Sequence, residues 1–177
     1  MKHTKLIMMA AVIAAPVTAQ AQAPAGSNGV QGVKSVWGTM SGYFTAAAEQ
    51  VPESDYSFKP VETVRSFGQL VGHVAGAQNM VCAAALGEPQ KSEDDIEKSA
   101  TTKAALVAPL KASNEYCARA YGMNDAASAG MTKLFGQDQT KMYVLSLNAA
   151  HVGEHYGNAV TYMRMKGMVP PSSQPRP

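Results

Sequence analysis

Charge is scarce in this sequence. Asp, Glu, Lys and Arg make up 16% of its 177 residues, and the formal net charge is +2. Lys2 and Lys5 fall in a stretch read below as a removable leader, which leaves the remainder close to neutral. Nothing in that balance suggests a nucleic-acid partner. The chain is nonetheless no disordered polymer, because 46% of it is hydrophobic and its length suffices to bury a real core. Cysteine is rarer than charge. Cys82 and Cys117 are the whole complement and no CxxC occurs, so neither a thioredoxin-type motif nor a haem-attachment motif is present. There is one tryptophan, Trp37, on an apolar helical face where it reads as a core anchor. No histidine begins the His-Glu pattern of a zinc protease motif. Internal repeats and a second domain are also lacking.

What is there begins with a leader. Lys2, His3 and Lys5 form a short positive head, Leu6 to Val17 an apolar core, and small residues follow in Ala-x-Ala-like order. Residues 1–23 therefore read as a secretory signal peptide, with cleavage after Ala19, Ala21 or Ala23. The apolar run is too short to span a bilayer comfortably. The expectation is a periplasmic or secreted protein with no stable membrane insertion once the leader is gone. In such a compartment an even pair of cysteines is a disulfide candidate. Two free buried thiols, or a thiolate metal ligand, are the alternatives.

Helical periodicity fills most of the rest. Val30 to Gln50 carries one apolar face, through Val33, Val36, Trp37, Met40, Tyr43, Phe44 and Ala47. Two prolines make 51–60 an ordered loop pinned by Tyr56 and Phe58. Ser66-Phe67-Gly68-Gln69 has the form of a capping box, opening a second helix that runs to Leu86 and stops at Gly87. Glu88 to Lys98 reads as a solvated connection. A third helix spans about 102–121. After a poorly determined stretch, and Met131 to Phe135 as either a helical turn or extended chain, a fourth begins near Asp138 or Thr140 and ends by Gly167. Residues 173–177 read as a loose tail. The fold class is all-α, a four-helix bundle over 30–172.

The chemistry concentrates on that fourth helix. At 100° per residue, Val144, Leu147, Asn148, His151, His155, Asn158 and Tyr162 share one stripe. It starts apolar, becomes imidazole, and ends in an amide and a phenol. His73 lies on the second turn of helix two, with Cys82 on the opposite side of the same helix. His73, His151 and His155 are the candidate ligands of a divalent metal, leaving open positions as a catalytic ion requires. Glu154 is a candidate general base, and Asn148, Asn158 and Tyr162 are candidate pocket groups. Satisfied structural histidines are the competing reading.

Several pieces together carry a resemblance: Val51-Pro52 to Lys59-Pro60, Arg65-Ser66-Phe67-Gly68-Gln69-Leu70-Val71-Gly72-His73, and His151-Val152-Gly153-Glu154-His155-Tyr156-Gly157-Asn158 followed by Tyr162 and Pro170-Pro171. In that order they resemble the DinB-like superfamily, also called DinB/YfiT-like metalloenzymes. The resemblance implies a bundle with a long crossover, often dimeric, and a divalent metal on His73, His151 and His155. Zinc or nickel is the first expectation, iron or manganese the next. It is similar in this to thiol-dependent transferases, the bacillithiol and mycothiol enzymes, in which the metal binds the cofactor thiolate. This chain departs from them in its leader and its cysteine pair. The functional expectation is an exported metal-dependent hydrolase or transferase acting on a small-molecule substrate. The alternatives are a non-catalytic copper carrier, suggested by 11 methionines, and a haem-binding bundle.

Overall fold

The computed structural model describes residues 29–175; the expected leader, 1–23, lies outside them. In chain order the elements are α1 (Gly29–Gln50), α2 (Phe67–Leu86), α3 (Asp95–Ser99), α4 (Lys103–Ala120), α5 (Asp125–Ser128), a hairpin of β1 (Met131–Leu134) and β2 (Gln137–Thr140), and α6 (Lys141–Met165). α1, α2, α4 and α6 form an all-α bundle in which α2 packs on α4 and α6, and α1 on the same two. Among the described residues no helix is long and apolar enough to cross a membrane.

The helix limits follow local chemistry. The Ser66 side chain accepts from Gln69 N while the Gln69 amide oxygen accepts from Ser66 N, so two orphan donors are satisfied at the start of α2. Gly87 closes the helix with a φ of 75°. Thr102 caps α4 and Thr140 caps α6 in the same manner. Trp37 is the core anchor expected. Its ring stacks on Tyr121 with centroids 4.4 Å apart, and its Nε1 donates to Gln78 Oε1 at 2.7 Å. Gln78, wholly buried, then donates to Ser113 and Asn114. Tyr56 pins the first loop by donating its hydroxyl to Ala48 O.

Cys82 on α2 and Cys117 on α4 form a disulfide, which removes the free-thiol and thiolate-ligand alternatives. The extended reading of Met131 to Phe135 holds in part, since 131–134 is the first strand of a hairpin. Phe135 and Gly136 at its tip have φ of 51° and 76°, the two positive values of a type I′ turn. α6 starts after this hairpin, at Lys141, so Asp138 belongs to a strand.

Two expectations are corrected. Segment 88–98 is a solvated connection only in part: Pro89 to Ser92 are exposed, but 93–97 is seated on α2. Gly68, Gly72 and Gly76 recur every fourth residue and leave one side of α2 bare. A Cβ on Gly72 would stand 2.7 Å from Glu97 Cα, and one on Gly76 would stand 1.9 Å from Glu93 O. The backbone of 93–97 is therefore seated directly on α2, and α3 forms there. Residues 172–174 are also tied back, so the expected loose tail is anchored at its start: Ser172 bonds with the Tyr156 hydroxyl, Ser173 accepts from Arg164, and Gln174 donates to Gln50 and Val169 O.

Candidate metal centre

α2 and α6 cross where their histidines lie. His73 comes from the turn of α2 that Gly72 and Gly76 bracket. His151 and His155 are one turn apart on α6 and share a face. The Nε2 atoms of His73 and His151 are 3.1 Å apart, those of His155 and His151 3.0 Å. All three lie within 4.8 Å of one another, and the ring centroids are 4.4 to 5.0 Å apart. His73 and His155 are buried and His151 is half-buried.

Burial dominates the electrostatics. It lowers the His73 pKa to about 4, helped by Arg65 and His151. It lowers His151 to about 4, helped by His155, and His155 to about 4, helped by His73 and Arg65. All three rings are neutral at pH 7. A neutral ring carries one proton on two nitrogens, so these close Nε2 contacts are met either by Nε2–H donors, with His73 and His155 donating to His151, or by one cation that takes all three lone pairs. The edges of 3.0 and 3.1 Å are about the separation of neighbouring ligand atoms around one ion at Zn–N distances near 2.1 Å. The donor set fits a small divalent ion. Among the described residues the Nδ1 atoms of His73 and His151 have no hydrogen-bond partner.

A cavity of about 750 Å³ opens beside the triad. Its wall includes Arg65, Glu97, Glu154, His155, Asn158 and Tyr162, so four expected site residues are there. Glu154 is exposed. Lys59 pairs with Glu62 and Arg65 with Glu97, which leaves Glu154 as the wall's one charge without an ion-pair partner among the described residues. Asn158 places its side-chain nitrogen 3.4 Å from His155 Nδ1. With the amide turned by a half-rotation, its oxygen accepts the Nδ1 proton that metal ligation through Nε2 requires. Tyr162 donates its hydroxyl to Arg65 O at 2.9 Å, so it serves as a fixed wall.

Asn148 is a correction: it is no pocket group. It is fully buried, and its amide nitrogen faces both disulfide sulfurs at 3.7 and 3.8 Å and the Tyr121 hydroxyl at 3.2 Å. It shares the histidines' stripe, but one turn before His151 and two before His155 that stripe meets the disulfide instead of the cavity. No methionine lines the cavity, and Met80 and Met163 are core residues.

Glu97 escaped the sequence reading. Its carboxylate accepts from Arg65 Nε through both oxygens at 3.1 Å, and one oxygen lies 3.7 Å from His73 Nδ1. The only sequence signal was the pair of glycines around His73, which marks a helix face bare enough to receive another backbone.

A family model for the DinB superfamily matches residues 39–159, the triad included. The chain belongs to the DinB superfamily. Solved structures agree on the fold. A DinB-like protein from Bacillus cereus ATCC 10987 superposes with a TM-score of 0.69 at 14% identity, over 80% of this chain and 95% of that one. A DinB-like protein from Bacillus subtilis gives 0.64 at 21%, over 82% and 99%. A mycothiol-dependent maleylpyruvate isomerase gives 0.60 at 12%, over 73% and 60%. No curated protein matches the sequence.

Proposed function

We propose that this DinB-superfamily protein is an exported, metal-dependent enzyme acting on a small polar substrate, with His73, His151 and His155 as the metal ligands. The observation that carries the reading is the convergence of three neutral imidazoles beside an open cavity of about 750 Å³, a size that suits a small molecule. Zinc or nickel suits the all-nitrogen set best, with iron or manganese next. Such an ion supplies Lewis acidity and lowers the pKa of a water or thiol bound to it.

The chain's own residues divide the remaining work. Glu154, without an ion-pair partner on the wall, accepts a proton from the attacking group. Asn158 holds the His155 ring in register. Tyr162 and the Arg65–Glu97 pair bound the space where substrate sits. Hydrolysis is favoured over thiol transfer by the compartment that the leader suggests, since low-molecular-weight thiols are mainly cytoplasmic. The mycothiol-dependent isomerase that shares the fold keeps thiol chemistry as the second reading. Homodimerisation belongs to the same proposal through the family resemblance.

The test is metal analysis of the full chain, expressed with its leader and purified without added metal. About one divalent ion per chain is expected. His73→Ala, His151→Ala and His155→Ala should each reduce it to near zero while helicity by circular dichroism is retained. Unchanged stoichiometry in any of the three would falsify that residue's assignment. On a panel of esters, amides and phosphoesters, Glu154→Gln should lower turnover roughly 10²- to 10⁴-fold with metal content unchanged.

A further inference from the structure

The buried Nδ1 of His73 is a polar atom that the metal proposal leaves unused. Its side chain is 7% exposed, and the nitrogen has no hydrogen-bond partner. The acceptors around it come from the crossover. Glu97 Oε2 lies 3.7 Å away, and Asp94 offers a carboxylate oxygen within 4.8 Å. We infer that Glu97 is a positioning residue for His73: it accepts the Nδ1 proton and thereby leaves the Nε2 lone pair free for a ligand to the centre.

Three observations converge on Glu97 rather than its acidic neighbours. Its backbone is fixed, because Glu97 Cα sits on Gly72, the residue beside His73. Its carboxylate is fixed, because Arg65 Nε grips both oxygens at 3.1 Å. It is also sheltered, with a side chain 12% exposed against 36% for Asp94. Arg65 has a second tie, since its carbonyl accepts from Tyr162. The frame thus runs from α6 through Arg65 to Glu97 and on to His73.

The separation of 3.7 Å is longer than a hydrogen bond, and a small rotation about the side chain's own bonds closes it. The logic of the contact is general. A metal-binding imidazole is orientated and made more basic when its second nitrogen donates to a carboxylate. The same groups also have the spacing of a second cation site, since His73, Asp94 and Glu97 are close together. Two cations already occupy them: Arg65 on Glu97, and Lys98 on Asp94 at 2.8 Å. A divalent ion would have to displace both, so the carboxylates serve the ring.

The inference rests on the proposed metal site, and the experiment separates the two. In metal-free, ¹⁵N-labelled full chain at pH 7, long-range ¹H–¹⁵N spectra should show His73 protonated on Nδ1 and bare on Nε2. Glu97→Leu should lose that preference and weaken zinc affinity about 10- to 100-fold. Glu97→Gln keeps an acceptor oxygen and should restore the Nδ1 tautomer and most of the affinity. Thermal melting identifies a variant that fails to fold, and the wild-type tautomer needs no variant at all. A wild-type His73 protonated on Nε2, zinc affinity in Glu97→Leu within twofold of wild type, or binding of two zinc ions per chain would each overturn the inference. Absence of zinc binding by the wild type would instead overturn the metal site, with the tautomer still readable.

Discussion

His73, His151 and His155 are neutral in the folded chain down to about pH 4, with burial as the main cause. An ordinary imidazole at pH 6 carries about three-quarters of a proton, so three ordinary ligands would shed roughly two protons on binding zinc. These three have almost none to shed. Calorimetric titration with zinc at pH 6, in buffers of different ionisation heat, should show release of less than about half a proton per site. Release near two would mean that burial fails to hold the rings neutral. The same shift fixes a sign for stability. The folded values lie below the unfolded value of about 6.5, so as pH falls the unfolded chain takes up protons first. Metal-free protein should therefore lose stability between about pH 6.5 and 4, through these groups, and be insensitive to them above that window. Urea midpoints across the range check this.

At the scale of elements, the seat of the crossover on α2 decides whether Glu97 reaches His73. Gly76 is the closest approach, with Glu93 O where a Cβ would stand. Gly76→Ala should cost about 1–3 kcal/mol or more, as overpacking does. Gly42→Ala on α1 is the control: its Cβ would meet nothing within 4 Å, and it should gain up to about 1 kcal/mol of helix propensity. Equal effects by urea denaturation would dismiss the seat. This contact also explains what the sequence could not tell. Caps and apolar periodicity are local, so Ser66, Gly87, Thr102 and Thr140 mark helix ends legibly, and the HxxxH spacing puts two ligands on one face without further information. The meeting of a glycine face with a backbone about twenty residues away is not local, and the charges of 93–98 read as solvent-facing because composition carries no partner. Asn148 was misjudged for a related reason. An angular stripe fixes direction round α6, but a helix of 25 residues faces different neighbours along its length.

At the scale of the whole molecule, the disulfide and the metal centre are separable. The bond ties α2 to α4 across a sequence separation of 35, whereas the triad joins α2 to α6. Cys82 lies nine residues from His73, about half a turn round the helix in angle, so the two sites use opposite sides of α2. Closing a loop of this length restricts the unfolded chain by about 4 kcal/mol in the chain-entropy model. The double variant Cys82→Ala/Cys117→Ala should lose about 2–4 kcal/mol by urea denaturation. Its zinc stoichiometry should stay at the wild-type value wherever it remains folded. The Asn148 amide, which faces both sulfurs, adds to the stability loss without reaching the cavity. Protein made without residues 1–23 in a reducing cytoplasm should show the same deficit, and oxidation after purification should restore it. A variant that keeps wild-type stability would deny the bond its structural role. One that stays folded but loses zinc would couple the two sites and refute their separation.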